Sequence, residues 1–289
     1  MSNRDIPLSP RPPLARRPKY MTLPGTTDTH FHIFGPTDKY PLSPKRMYDP
    51  PLATVADYRA MAATLGIERM VVVQASIYGT DNSCLLDSIP QLGKRNTRGI
   101  AVVEQWITME ELKNMDAIGV RGIRFNAITG HTPIEWLPSL SQMIEPLGWH
   151  IQLWIKSARL LEIFALVKQI SVPVVLDHMG QFPVREGTAS SEFQNILRLL
   201  DGGNCWLKLT AYRVSHAAPS FDDIHDCAMA LIAAAPERCL WGSDWPHIFL
   251  EGRPMPNTAD LFELTWEWLS ARDRQRVFVD NPARLYGFD

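Results

Sequence analysis

The chain has 289 residues, 45% of them hydrophobic and 21% charged, so it can bury enough apolar surface to offset its chain entropy, and disorder is excluded. Lys and Arg total 29 against 31 Asp and Glu, giving a net charge of −2, and no basic tract interrupts that balance. A dedicated binder of nucleic acid or anionic membrane needs a basic surplus, and no apolar run reaches the ~18 residues of a membrane span, so neither partner is expected.

Residues 1–24 hold six prolines and no periodic apolar pattern, which reads as an extended arm. Arg and Pro stand where a secretion signal needs its apolar core, and Cys84, Cys205, Cys227 and Cys239 form no CxxC pair; both features fit a cytoplasmic protein with reduced thiols. From Gly25 onward, short β-branched runs alternate with helical stretches. The runs are 27–34, 69–76, 98–103, 120–126, 149–155, 172–178, 204–210 and 238–244. Between the first two lies TVADYRAMAATLG, where Thr54 can cap a helix, Asp57 sits at the third helical position and Gly66 suits a left-handed end. Leu160, Ile163, Phe164 and Val167 make a comparable stripe after the fifth run. Eight apolar strands alternating with helices predict an α/β fold with a parallel sheet: a (β/α)8 TIM barrel over residues 25–289, one domain preceded by the arm. An open doubly wound sheet is disfavoured because no GxGxxG follows the first strand.

In such a barrel, chemistry sits at the C-terminal ends of the strands. Those ends carry His30 and His32, Gln74 and Ser76, Arg124 and Asn126, Trp154, Asp177 and His178, Lys208 and Thr210, and Asp244. His30 and His32 are two apart on a strand, so both rings face the barrel mouth. That pair suits either a divalent metal or two hydrogen bonds to one oxyanion. His150 starts its strand, at the opposite end. His216 and His225 read as surface residues, and His247 as a structural one.

The motifs DTHFHIFGP (28–36), VVVQASIYGTDN (71–82), GIRFN (122–126), VLDHMG (175–180), WGSDWPH (241–247) and DNPARLYGF (280–288) resemble the amidohydrolase superfamily. Within it they are most similar to the 2-pyrone-4,6-dicarboxylate hydrolase group of lactonases and lactone isomerases. That resemblance implies hydrolysis of a small-molecule cyclic ester. Asp244 would be the general base for water, and His30, His32 and His178 would polarise the carbonyl. Tyr48, Ser76, Arg124 and Arg213 would hold substrate carboxylates. It also implies catalysis without a cofactor. The alternative is one zinc on His30, His32, His178 and Asp244; a binuclear centre is not expected, because strand four offers Arg124 where a bridging lysine would stand. Further alternatives are a zinc-dependent decarboxylase or amide hydrolase, a lactone isomerase, or an inactive barrel that only binds. A monomer or homodimer is expected.

Physical reading of the same residues adds three expectations. Asp244 is an intrinsically weak base, so an upward pKa shift from Trp241 and Trp245 would help it. Arg124 has no acid near it in sequence and should anchor a carboxylate. Trp154 should line the pocket, with His131 as a further donor to substrate. The sequence also departs from the group's pattern. It has NAITGH (126–131) and Gln181 where arginines are expected, and Ile248 and Phe249 near an expected asparagine. Fewer cationic forks point to a lactone with at most one carboxylate.

Overall fold

The computed structural model describes residues 6–128, 132–248, 250 and 252–289. Within them the expected barrel forms, from β1 (Thr27–Phe31), β2 (Arg69–Val73), β3 (Thr97–Ala101), β4 (Val120–Asn126), β5 (His150–Trp154), β6 (Val174–Leu176), β7 (Cys205–Leu209) and β8 (Cys239–Trp241). All seven successive pairings are parallel and in chain order. Helices α1 (Val55–Leu65), α2 (Ser83–Leu92), α3 (Met109–Ile118), α4 (Leu137–Ile144), α5 (Leu160–Val167), α6 (Ser191–Asp201), α7 (His225–Ala234) and α8 (Thr258–Trp268) follow the strands. In α1 the Thr54 hydroxyl accepts from Asp57 N–H while the Asp57 carboxylate accepts from Thr54 N–H, and Gly66 ends the helix at φ 77°. Tyr58, Met61, Ala62 and Leu65 bury its inward face, so local capping and packing agree.

The interior is layered. Val71, Val73, Ile100, Val175, Trp206 and Leu240 fill its lower part together with Tyr286 and Phe288 from the C-terminal segment. Above this apolar plug the inward positions become polar: Gln152 on β5, Lys208 on β7 and Arg124 on β4 are all buried. His150 lies at the lower end against Tyr286, with ring centroids 5.0 Å apart. A second, larger apolar cluster lies between the strands and the helices.

Closure occurs just beyond β8. Asp244 N–H donates to His30 O at 2.7 Å and His32 N–H to Trp245 O at 2.8 Å. A Cβ at Gly242 would lie 2.6 Å from His30 Cβ, so only glycine lets the last strand approach the first this closely. The seam is tied by Asp28. Its carboxylate accepts from Ser243 N–H (2.9 Å), Ser243 Oγ–H (2.6 Å), His30 N–H (3.1 Å) and Tyr58 Oη–H (3.0 Å). Burial pushes this carboxyl up to about 6 in spite of those four donors. The proline-rich segment packs on the outside, with Ser9 and Pro7 bonded to the backbone of Asp49 and Arg16 paired with Asp260 and Glu263 on α8.

Because four donors converge on one carboxylate, Asp28→Ala leaves several buried polar groups unmatched. It should lower unfolding free energy by at least about 3 kcal/mol, read as a reduced urea midpoint; a loss below 1 kcal/mol would show that water replaces the carboxylate.

Candidate active site

Four of the expected groups meet at the top of the barrel. The His30 and His178 ring centroids are 4.9 Å apart, and those of His30 and His32 are 5.1 Å apart. Asp244 Oδ1 lies 3.6 Å from His30 Nε2 and 3.5 Å from His32 Nε2, and Asp244 Oδ2 lies 3.9 Å from His178 Nδ1. Two of the four stand on left-handed backbone, His178 at φ 52° and Asp244 at φ 54°. Such conformations are costly for non-glycine residues and persist where the surroundings over-determine them, commonly at functional sites.

Each group is oriented by a partner. His32 Nδ1 lies 2.8 Å from Val73 O. A carbonyl only accepts, so His32 donates from Nδ1, and its Nε2 lies 3.5 Å from Asp244 Oδ1. Asp244 Oδ2 accepts from Tyr212 Oη–H at 2.6 Å and from Arg213 Nε–H at 2.5 Å. Burial alone would push the Asp244 carboxyl up, but the Arg213 guanidinium beside it holds it well below the usual carboxylate range. The expected upward shift is therefore corrected: Trp241 packs outward on Phe262 and Phe278, Trp245 packs on Tyr58, and charge outweighs burial.

A second carboxylate, Asp177, lies on the other side of His30. Its Oδ1 is 3.3 Å from His30 Nδ1, and its Oδ2 accepts from Arg124 Nε–H and Gln152 Nε2–H, both at 3.0 Å. Burial raises this carboxyl, yet the Arg124 guanidinium and the Lys208 ammonium bring it well below the usual range. The expectation that Arg124 stands unopposed is thus corrected, because Asp177 comes from a strand 53 residues later in the chain. The Arg124 guanidinium also lies 5.1 Å from the Trp154 ring centre. Burial lowers His30 well below its ordinary value, reinforced by Lys208, and burial lowers His178 to about 3.

Above the cluster opens a cavity of about 780 Å³ whose wall includes Trp154, Gln181, Phe182, Lys156, Arg213 and Arg253. Trp154 and Arg213 belong to both regions: Trp154 meets His178 edge to face at 5.6 Å, and Arg213 holds Asp244. Trp154 therefore lines the pocket as expected. Tyr48 is buried near Ser76, Arg213 and Arg124, and burial pushes its phenol up. Asn126 Oδ1 accepts from Ile128 N–H. His216, read as surface, is exposed but stands on the cavity wall. His247 is buried with Nε2 2.9 Å from Thr258 Oγ1, a structural contact. His131 and Phe249 lie outside the described residues. Sequence reasoning missed the roles of Asp177, Gln152, Lys208 and Tyr212 around the histidines. A lysine at an inward position of the apolar run CWLKL was the available signal for one of them.

The chain has relatives along most of its length. The chain is 35% identical to the 4-sulfomuconolactone hydrolase of Hydrogenophaga intermedia over 276 residues, covering 93% of this chain and 91% of that protein. It is 34% identical to the 2-pyrone-4,6-dicarboxylate hydrolase of Comamonas testosteroni over 284 residues, covering 93% and 92%. An apo crystal structure from Agrobacterium tumefaciens superposes with a TM-score of 0.86 at 28% identity, covering 94% of this chain and 99% of that one. The sequence model described as Amidohydrolase matches residues 27–288, and the chain belongs to that family.

Proposed function

We propose that the protein is a hydrolase that opens the ring of a lactone carrying one anionic group, acting on a small molecule in the cytoplasm. The observation that carries this reading is a set of buried polar atoms with no hydrogen bond among the described residues: His30 Nε2, His178 Nδ1 and Asp244 Oδ1, with both ring nitrogens within 4 Å of the Asp244 carboxylate. Buried polar groups are normally satisfied, so unspent ones converging beneath a cavity are suited to reacting atoms. Both curated relatives carry names of lactone hydrolases, which supports the substrate class.

In the proposed reaction a water bridges the two acceptors, Asp244 Oδ1 and His32 Nε2, and the carbonyl oxygen of the lactone faces His30 and His178. Asp244 takes a proton as the water oxygen bonds to the carbonyl carbon. The negative charge developing on the carbonyl oxygen is met by the imidazoles, and each such donor is worth about 2.7–4 kcal/mol. When the ring C–O bond breaks, the leaving oxygen recovers the proton from Asp244, and a hydroxy acid is released. Tyr212 and Arg213 occupy Asp244 Oδ2, which leaves Oδ1 as the basic atom.

One ligand atom each from His30, His32 and Asp244 also lies within 4.8 Å of the other two, and the set would fit a divalent metal such as zinc. When bound, that ion would supply Lewis-acid polarisation of the carbonyl.

Specificity rests on the cavity wall. Arg213, which also bonds Asp244, is suited to one anionic group, whereas Gln181 offers no charge to a second. A monoanionic lactone should be turned over about 10- to 100-fold better in kcat/KM than pyrone dicarboxylate. Ring opening of sulfonated, mono- and dicarboxylate lactones, followed side by side, tests both substrate class and preference. Equal turnover of the dicarboxylate would assign its second group to Lys156 or Arg253, and inertness toward every lactone would remove the proposal.

Asp244→Asn keeps the shape of the side chain but cannot accept a proton, so kcat should fall by at least about 100-fold with little change in KM. Retention of most activity would move the base to a histidine.

The site should also show in the pH dependence of stability. Burial lowers His150 and His178 to about 3 and His247 to about 4, from 6.5. Below pH 6.5 the unfolded chain binds protons at these rings that the folded chain does not. The stability they contribute is complete above 6.5 and is lost as the pH falls toward 3–4. Urea midpoints should therefore drop steeply between about pH 6 and 4, and activity lost there should track circular dichroism rather than a separate titration of kcat.

A further inference from the structure

The mechanism leaves one buried cation without a task. Lys208, on β7, is fully buried beneath His30. Its ammonium donates to Thr29 O at 2.9 Å and Gln152 Oε1 at 2.6 Å, and it stands 3.3 Å from His30 Nδ1. An ammonium only donates, so the oxygen end of Gln152 must face Lys208. The amide nitrogen then faces Asp177 Oδ2 at 3.0 Å and His30 Nδ1 at 3.5 Å. The opposite amide orientation would set NH2 against ammonium and oxygen against carboxylate, so charge fixes Gln152 at both ends.

His30 Nδ1 is therefore approached by two N–H donors. The competing acceptor, Asp177 Oδ1, lies 3.3 Å away but makes no hydrogen bond among the described residues, so it sits off the direction in which a ring N–H points. We propose that Lys208 and Gln152 clamp His30 in the Nε2–H tautomer, so that this ring presents a hydrogen-bond donor to the reacting carbonyl. Its neighbour is held the opposite way, since His32 donates from Nδ1 to Val73 O and keeps a lone pair on Nε2. One strand thus offers a donor for the carbonyl oxygen and an acceptor for the water, on either side of Asp244 Oδ1. Lys208 is a positioning residue that acts through His30 and touches no substrate.

The same clamp bears on metal binding. A metal at His30 Nε2 needs a lone pair there, which requires the ring proton to sit on Nδ1, facing the ammonium. Partners that orient a ligand histidine commonly change metal affinity 10- to 100-fold, and here the partner opposes the ligand tautomer.

The test is imidazole nitrogen NMR on histidine-labelled protein as purified, with the His30 signal assigned by its loss in His30→Asn. The expected pattern is a pyrrole-like Nε2 and a pyridine-like Nδ1 for His30, and the reverse for His32. In Lys208→Met the His30 proton should move to Nδ1, kcat should fall about 100-fold with KM within about 3-fold, and Zn2+ should bind at least about 10-fold more tightly by calorimetry. A wild-type His30 protonated on Nδ1 overturns the proposal, as does a folded Lys208→Met that keeps the Nε2–H pattern. If Lys208→Met does not fold, the wild-type spectrum still decides. The kinetic arm rests on the lactonase reading; the spectrum needs no substrate, so failure of one is distinguishable from failure of the other.

Discussion

Two carboxylates buried on opposite sides of one imidazole govern the upper half of this barrel. Asp177 and Asp244 flank His30, and each is held ionised by its own arginine, Arg124 for the first and Arg213 for the second. Neither acid would tolerate such burial alone, because an isolated charge in a dry interior is far more costly than a paired one. The arrangement uses the arginines to position acids as well as to line a pocket. It also explains why Trp154 sits where it does, lying over the Arg124 guanidinium and edge-on to His178. Remove one cation and its acid must either protonate or leave the interior.

That dependence separates two functions usually asked of a single arginine. Arg213 ties Asp244 Oδ2 and still reaches the cavity wall, so it links the charge of Asp244 to whatever occupies the mouth. Arg124 spends its contacts inward, on Asp177 and Gln74 O, and supports the histidine cluster from below. Lys208 completes this lower tier, and burial brings its ammonium down to about 8 although Asp177 opposes the shift. The tiers therefore differ in kind: the lower sets orientation and charge, and the upper borders the cavity.

Much of this was legible in the chain. Apolar runs alternating with capped helices specify a parallel barrel, because both periodicities and the caps agree, as α1 illustrates from Thr54 to Gly66. The mouth residues His30, His32, His178 and Asp244 followed from strand ends alone, since the fold places those ends together. What remained hidden was pairing across the barrel. Arg124 looked unopposed because its acid is 53 positions away, and nothing local in the sequence shows that Lys208 faces Gln152. The direction of the Asp244 shift was misread for the same reason. Flanking tryptophans are visible in sequence, whereas an arginine 31 residues earlier becomes decisive only once the loop after β7 folds back over β8.

The seam carries a consequence for the order of events in folding. Strands β1 to β8 can pair neighbour by neighbour, each at modest separation in the chain, but Asp28 and Ser243 meet across 215 positions. Contacts of such long range are costly to form early, because the entropy of closing the loop must be met before they contribute. His30 and Asp244 lie on opposite lips of that same seam. A partly wound intermediate, however native its first seven strands, holds the imidazole without its carboxylate. Under the proposed mechanism chemistry and closure are therefore a single event in this chain, and turnover would report that the ring of strands is complete.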